Sequence, residues 1–234
     1  MEPAVKVSRR YRGITASERS AGRREQLMEA GLQLFGTHGY ARTSARALSA
    51  EASLNSRYFY ESFSGREELL YEVYVRILTE ISTLAAEAVG AADTLEGKAR
   101  AGLRAGWTVV TEDPRKARIV ALEVVGVSDR LDQLRRDMRH ALADMTAKQA
   151  LSLADENVRF VLDPVLTTRA LMGGVSEVLV DWINGDVDAS VDEVVEHFTR
   201  LFTAAAFATV EWPQAARPSR RKRTSESAAA RARP

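Results

Sequence analysis

Apolar positions recur every three or four residues along most of the chain. Leu27, Ala30, Leu34 and Phe35 fall on one helical face, as do Leu70, Val73, Tyr74, Ile77, Ile81 and Leu84, and then Leu131, Leu134, Met138, Leu142 and Met145. No stretch shows the sustained apolar–polar alternation of a half-buried strand. Helix starts are announced by local chemistry. Asp113-Pro114 and Asp163-Pro164 each join a good N-cap to a residue tolerated in the first turn. Ser64 with Glu67, Asp93 with Glu96 and Ser190 with Glu193 have capping-box spacing. These signals predict about nine helices, over 23–38, 44–51, 55–61, 65–89, 94–111, 114–126, 129–154, 164–184 and 191–210, and an all-α fold.

Composition narrows the class. The 234 residues are 45% hydrophobic and 28% charged, which fits neither a membrane protein nor a disordered chain. The strongest apolar stretch, 201–210, is about half of the roughly 20 residues a bilayer span needs. The start, Met1-Glu2-Pro3 with Lys6, Arg9 and Arg10 behind it, has no apolar run, so no secretory leader is expected and the protein is read as cytoplasmic. The absence of cysteine excludes disulfides, thiolate metal sites and Cys nucleophiles.

Charge is divided along the chain. Residues 1–62 carry ten basic and six acidic side chains, 63–211 carry 16 and 25, and 212–234 carry seven and one. A basic head on an acidic body points to a head that meets a polyanion. The chain thus divides into four parts: a basic, flexible arm over 1–22, a helix-turn-helix domain over 23–68, a helical body over 69–211 and a basic disordered tail over 212–234. Whether the arm and tail touch a polyanion is left open by the sequence.

The most specific feature lies in the head. Two short helices, 44–51 and 55–61, come after a longer amphipathic one. Asn55 suits the N-cap of the second, and Leu54 and Phe59 have the spacing of a hydrophobic staple. That helix bears Asn55, Ser56, Arg57, Tyr58 and Tyr60, a polar cluster that is costly to bury and natural for a groove. In a helix-turn-helix the second helix enters the major groove and flanking helix ends hold phosphates.

Leu34-Phe35, Gly39-Tyr40, Thr43-Ser44, Ala52-Ser53-Leu54-Asn55, the run Tyr58-Phe59-Tyr60-Glu61-Ser62-Phe63 and Ser64-Gly65-Arg66-Glu67-Glu68-Leu69 together resemble the DNA-binding head of TetR-type transcriptional regulators. The resemblance covers about 50 residues. It implies that Thr43 and Ser44, with Arg46 nearby, open the second helix at the DNA backbone, that Tyr60 touches a phosphate, and that Arg66 replaces the Lys beginning the fourth helix. Asn55, Ser56, Arg57 and Tyr58 would face the bases. Ser53 stands where the family's turn usually has Gly, and Arg57 where many members have Gly. An Arg at 57 fits either a bidentate guanine contact or a phosphate contact.

For the body the resemblance implies a small-molecule cavity, a homodimer made by the last two helices and a palindromic operator. Leu171, Val175, Leu179, Trp182, Phe198, Leu201 and Phe202 are the expected dimer residues, since these helices carry more apolar surface than monomer edges should expose. Arg104 and Glu123, charges amid apolar neighbours, are pocket candidates with Tyr74 and Trp107. The leading expectation is a ligand-responsive, sequence-specific regulator, a repressor released by an inducer. The alternatives are a non-specific DNA binder and an all-α ligand-binding protein without operator specificity. An enzyme is not expected, and neither a cofactor nor a metal is, because the only histidines, His38, His140 and His197, are far apart and no His-x-x-x-His or phosphate loop occurs.

Overall fold

The computed structural model describes residues 15–152, 159–160, 162–208 and 210–211. The arm ahead of residue 15 and the tail beyond residue 211 lie outside the described residues.

Nine α-helices succeed one another among the described residues: α1 (Ala16–His38), α2 (Ala45–Glu51), α3 (Ser56–Ser62), α4 (Arg66–Gly90), α5 (Leu95–Glu112), α6 (Pro114–Arg118), α7 (Asp129–Ser152), α8 (Pro164–Asn184) and α9 (Val191–Ala208). The all-α expectation stands. The one departure among the described residues is an antiparallel two-residue pairing, β1 (Arg159–Phe160) with β2 (Val210–Glu211), in register Arg159 to Glu211. None of these helices is long and apolar enough to cross a membrane.

The helix starts show which caps win. Asp113, Asp163 and Ser190 cap as expected: Asp113 accepts from Arg115 N, Asp163 from Val165 N and Leu166 N, and Ser190 exchanges hydrogen bonds with Glu193. Three starts differ. α1 begins at Ala16 instead of 23, because Thr15 and Glu18 form a complete capping box, so residues 16–22 are helix and not arm. α5 is capped by Thr94, which accepts from Gly97 N, and not by Asp93. At α4 the partner of Ser64 is Glu68, whose carboxylate accepts from both the Ser64 hydroxyl (2.6 Å) and its N–H (2.5 Å), and not Glu67. These bonds hold the Glu68 carboxyl below the usual carboxylate range, the hydroxyl contributing most.

The helix expected over 114–126 also changes character. After Arg118 the backbone widens into a π turn, Ile119–Glu123, and the chain leaves through Gly126 at φ +70. Such a turn inserts a residue into the helical ladder and rotates the chain beyond it.

Two cores result. One joins the head to the first half of α4, with Leu27, Phe35, Leu48, Phe59, Leu69 and Leu70 fully buried, and it extends through Tyr74 and Ile77 to Ile119, Val124 and Leu131. The other lies in the body, where Leu103 and Trp107 of α5 meet Val194, Val195, Phe198 and Phe202 of α9. The apolar stripes read from sequence agree with burial at their starts and fade along the helices: Leu84 is 42% exposed and Met145 54% exposed.

Head and body meet where α1 crosses α6. Gly36 lies directly against the Arg115 backbone, with no room for a Cβ. Arg115 itself donates to Gln33 (2.8 Å) on α1 and, through Nε and Nη2, to Asp113 (2.9 and 2.7 Å). The Arg115 hydrogen bond holds the Asp113 carboxyl below the ordinary Asp value.

Candidate nucleic-acid interface

The site is assembled on α2 and α3. Ser44 is exposed and caps α2, its Oγ accepting from Ala47 N at 3.1 Å. Two residues separate the end of α2 at Glu51 from Leu54, and the turn is closed by Leu54 N donating to Ser49 O at 2.8 Å. Asn55 then caps α3, accepting from Arg57 N at 2.9 Å. Phe59 is fully buried and Leu54 packs against the same core, so the expected staple sets the angle of α3.

With Phe59 inward, Asn55, Ser56, Arg57 and Tyr60 are left exposed on the outer face. The Arg57 side chain is 82% exposed and its Nε donates to Glu61, one turn on, at 2.8 Å. Tyr60 is 64% exposed and rests edge-on against Phe59 with ring centroids 5.2 Å apart. Tyr58 leans back towards α1, where the Arg23 guanidinium lies 4.5 Å from its ring centroid. Arg46 is exposed on α2.

Beside this face runs an open groove of about 550 Å³, lined by Ser44, Tyr60, Ser64, Gly65 and Arg66 among others. Hydroxyls, a phenol and a guanidinium around an open groove form the donor set that phosphate oxygens need. Two expected phosphate contacts have other duties here. Thr43 is buried, its hydroxyl donating to Gly39 O at 2.8 Å, so it shapes the turn before α2 instead of presenting a donor. Arg66 sends Nη1 to the carbonyls of Thr43 and Tyr40 (3.1 Å for the latter) and lies over the Tyr40 ring at 4.8 Å. It braces the groove wall, with its charge still at the rim.

Sequence reasoning missed three members of the site. Arg23 stacks on Tyr58 from α1, Glu61 holds Arg57, and Arg24 covers Phe63 at 4.6 Å while pairing with Glu72 at 3.3 Å. The Arg57–Glu61 spacing is a readable signal, being an i,i+4 pair on a helix. The two arginines carry none, since their partners are 35 or more positions away in the chain.

Ser53 adopts φ +54, the left-handed region that favours glycine. A side chain there costs about 1–2 kcal/mol, while glycine gains about 0.4–1 kcal/mol of unfolded-state freedom. Ser53→Gly is therefore expected to raise stability by up to about 1 kcal/mol, or roughly 2–4 °C in Tm. Thermal unfolding measured by circular dichroism checks it, and an unchanged or lower midpoint would mean that Ser53 has local compensation.

The pocket candidates do not converge. Tyr74 is buried in the head-side core, and burial raises its phenol to a pKa of about 12. Trp107 is buried in the other core, edge-on to Trp182 with ring centroids 6.1 Å apart. Arg104 is exposed and pairs with Asp192 at 2.6 Å. Glu123 faces the head, its carboxylate accepting from Tyr40 N at 2.7 Å and from Arg118 at 2.7 Å. Arg104 turns outward because it lies one position past Leu103, which takes the inward place on α5. Among the dimer candidates, Phe198 and Phe202 are buried against α5 and hold α9 to the body. Leu171, Val175, Leu179 and Trp182 are partly buried beside them, and Leu201 is 40% exposed.

Comparison with known proteins accords with this geometry. Residues 27–73 match the family described as bacterial regulatory proteins, tetR family. No curated protein matches the chain. Among solved structures, the chain is similar to a fatty acid degradation regulator, FadR, from Bacillus halodurans, with 16% identity and a TM-score of 0.67 over 77% of this chain and 94% of that one. It is also similar to FadR from Bacillus subtilis in complex with stearoyl-CoA, with 15% identity and a TM-score of 0.68 over 76% of this chain and 96% of that one. A third, described as a putative TetR-family regulator from Syntrophomonas wolfei, shares 18% identity with a TM-score of 0.67 over 80% of this chain and 96% of that one.

Proposed function

We propose that this chain, a tetR-family transcriptional regulator by its head and its fold, acts as a homodimeric repressor that leaves a palindromic operator when a small molecule binds its body. The observation that carries this reading is the outer face of α3. Arg57, Tyr60, Asn55 and Ser56 stand exposed on a short helix fixed by one buried anchor, beside a groove with phosphate donors. The N-terminal half of α3 then reads bases and the groove tracks the backbone.

The dimer rests on α8. This 21-residue helix carries three Leu, four Val and Met172, Trp182 and Ile183, yet Thr168 is its one buried residue, and Leu166 is 68% exposed. A second copy of α8 and α9 across a two-fold axis would cover that surface. Leu171, Val175, Leu179 and Trp182 are the proposed contacts together with Leu201, whereas Phe198 and Phe202 act from beneath. Two heads related by that axis reach successive major grooves, so the operator should be a palindrome. Stearoyl-CoA, present in one structural relative, makes acyl compounds the first effectors to try.

Selection of bound duplexes from a random pool at about 150 mM salt tests the reading. Recovery of a palindrome with half-sites one helical turn or more apart supports it. Recovery of no motif, with binding that disappears as salt rises, supports the non-specific binder instead. Within a recovered operator, Arg57→Ala is expected to relax preference at one position by about 1–3 kcal/mol if it reads a base. Tyr60→Phe should weaken all sites alike, as a phosphate contact does. Uniform loss from both substitutions would remove the base-reading role of Arg57.

A further inference from the structure

α7 carries a feature on its inner face that the DNA-binding reading does not use. Leu131 is fully buried there and Leu134 packs against the head-side core, while Gln133, Arg136, Asp137 and His140 are exposed. Arg135 and Arg139, one turn apart, are half-buried with the inner residues and not exposed with the outer ones. Other half-buried arginines have a partner: Arg24, Arg100, Arg115 and Arg118 meet carboxylates, and Arg23 and Arg66 lie over aromatic rings. Arg135 and Arg139 meet none among the described residues, and the buried Nε of Arg135 has no hydrogen-bond partner at all. α7 meets α4 where Arg130 lies over the Tyr71 ring at 3.8 Å, and the Tyr74 phenol, nearly one turn further along α4, is 3% exposed and feels both positive charges.

Two half-buried guanidiniums, one of them with a buried N–H unmatched, thus stand without a protein partner for their charge among the described residues. Such charge is retained at little benefit to folding, and it fits a planar anion, since guanidinium binds carboxylate or phosphate through paired N–H bonds. We propose that Arg135 and Arg139, with the Tyr74 hydroxyl, seat the anionic group of the effector, whose apolar part packs beside Leu78 and Leu134 of the same two helices. This deepens the ligand-responsive reading above and rests on it. Tyr74, which sequence groups with Arg104, Trp107 and Glu123, thereby acquires different partners.

Anilinonaphthalene sulfonate, an anion on an apolar body, is a suitable probe, with neutral phenylnaphthylamine as its matched control. Titrated into the full chain, the anion is expected to bind, and Arg135→Gln and Arg139→Gln should each weaken it about tenfold, as loss of a charge-assisted pair does. Both variants should leave the neutral probe within about twofold, and Arg135→Lys should recover part of the anion's affinity. Arg136→Gln, at an exposed neighbour, controls for general charge, and thermal unfolding guards against misfolding of either variant. Displacement of the bound probe by decanoate assigns a carboxylate; displacement by decyl phosphate alone assigns a phosphate. The proposal is overturned by failure of the anion to bind, by equal affinity in wild type and both variants, by parallel loss of the two probes, or by displacement with neither competitor. DNA selection on the unliganded chain reports separately on the regulator reading, so the two can fail independently.

Discussion

Gly36→Ala is expected to destabilise the protein by about 3 kcal/mol, the upper part of the range for forcing extra atoms into a packed interior. A Cβ at this position would stand 2.4 Å from the Arg115 Cβ, 2.7 Å from its Cα and 2.9 Å from its carbonyl oxygen. Two of those three atoms are backbone, so no side-chain rotation relieves the overlap, and α1 and α6 must separate. Separation also breaks the Arg115 bond to Gln33, which spans the same crossing. Working in the other direction, Ala favours a helix over Gly by about 1 kcal/mol. Gly22, on the same helix with nothing within 4 Å of its Cβ position, isolates that second effect. Thermal unfolding of the two variants should thus give opposite signs: a fall of roughly 6–12 °C for Gly36→Ala and a small rise for Gly22→Ala. A Gly36→Ala protein as stable as wild type would show that the head does not lean on the body at this crossing.

This crossing also shows where sequence reading stops. The helices themselves are legible, because amphipathic spacing and caps are local: Asp113-Pro114 and Asp163-Pro164 start α6 and α8 where their chemistry predicts. The errors at other starts are errors of register between adjacent polar residues. Asp93 and Thr94 are both good caps, and only the backbone decides that Thr94 meets Gly97 N. Glu67 and Glu68 likewise compete for Ser64, and Glu67 goes instead to Ser128 at 2.7 Å. Thr15 is obscured by the basic residues around it, which have the composition of an arm.

The DNA-facing residues are mostly legible for a similar reason. Asn55, Arg57 and Tyr60 occupy one short helix whose buried anchor, Phe59, fixes which side is out, so a local pattern settles them. Thr43 and Arg66 escape such a pattern because their partners, the carbonyls of Gly39, Tyr40 and Thr43, belong to a turn that has no sequence signature. The charged pocket candidates stand amid apolar neighbours, but neighbours in sequence point away from one another around a helix. Arg104 pairs with Asp192 and Glu123 with Tyr40 across 88 and 83 positions of chain, separations at which a single sequence holds no pairing information.

Glu123→Ala is expected to cost about 2–3 kcal/mol and to weaken DNA binding at the same time. The side chain is 13% exposed and serves two donors, Tyr40 N and Arg118. A hydrogen bond to a charged group contributes about 1.5–3 kcal/mol, and its removal leaves the Tyr40 amide without an acceptor. Arg118, 36% exposed, recovers water and so loses less. The turn that suffers is the one that shapes the groove. Gly39 holds φ +87 there, with its Cβ position 3.0 Å from the Glu123 carboxylate, and Tyr40 carries the ring under Arg66. Loosening Tyr40 therefore reaches the wall that Arg66 braces and the cap at Ser44. Glu123→Gln separates the two contributions, because an amide oxygen still accepts from Tyr40 N while the ion pair with Arg118 is gone. The expected order of both stability and operator affinity is wild type, then Gln, then Ala, measured by thermal unfolding and by titration of the selected duplex. Stability that falls without any change in affinity would confine Glu123 to holding the body against the head. Loss of affinity in the Ala variant alone, with Gln near wild type, would trace the effect to the single bond at Tyr40 N.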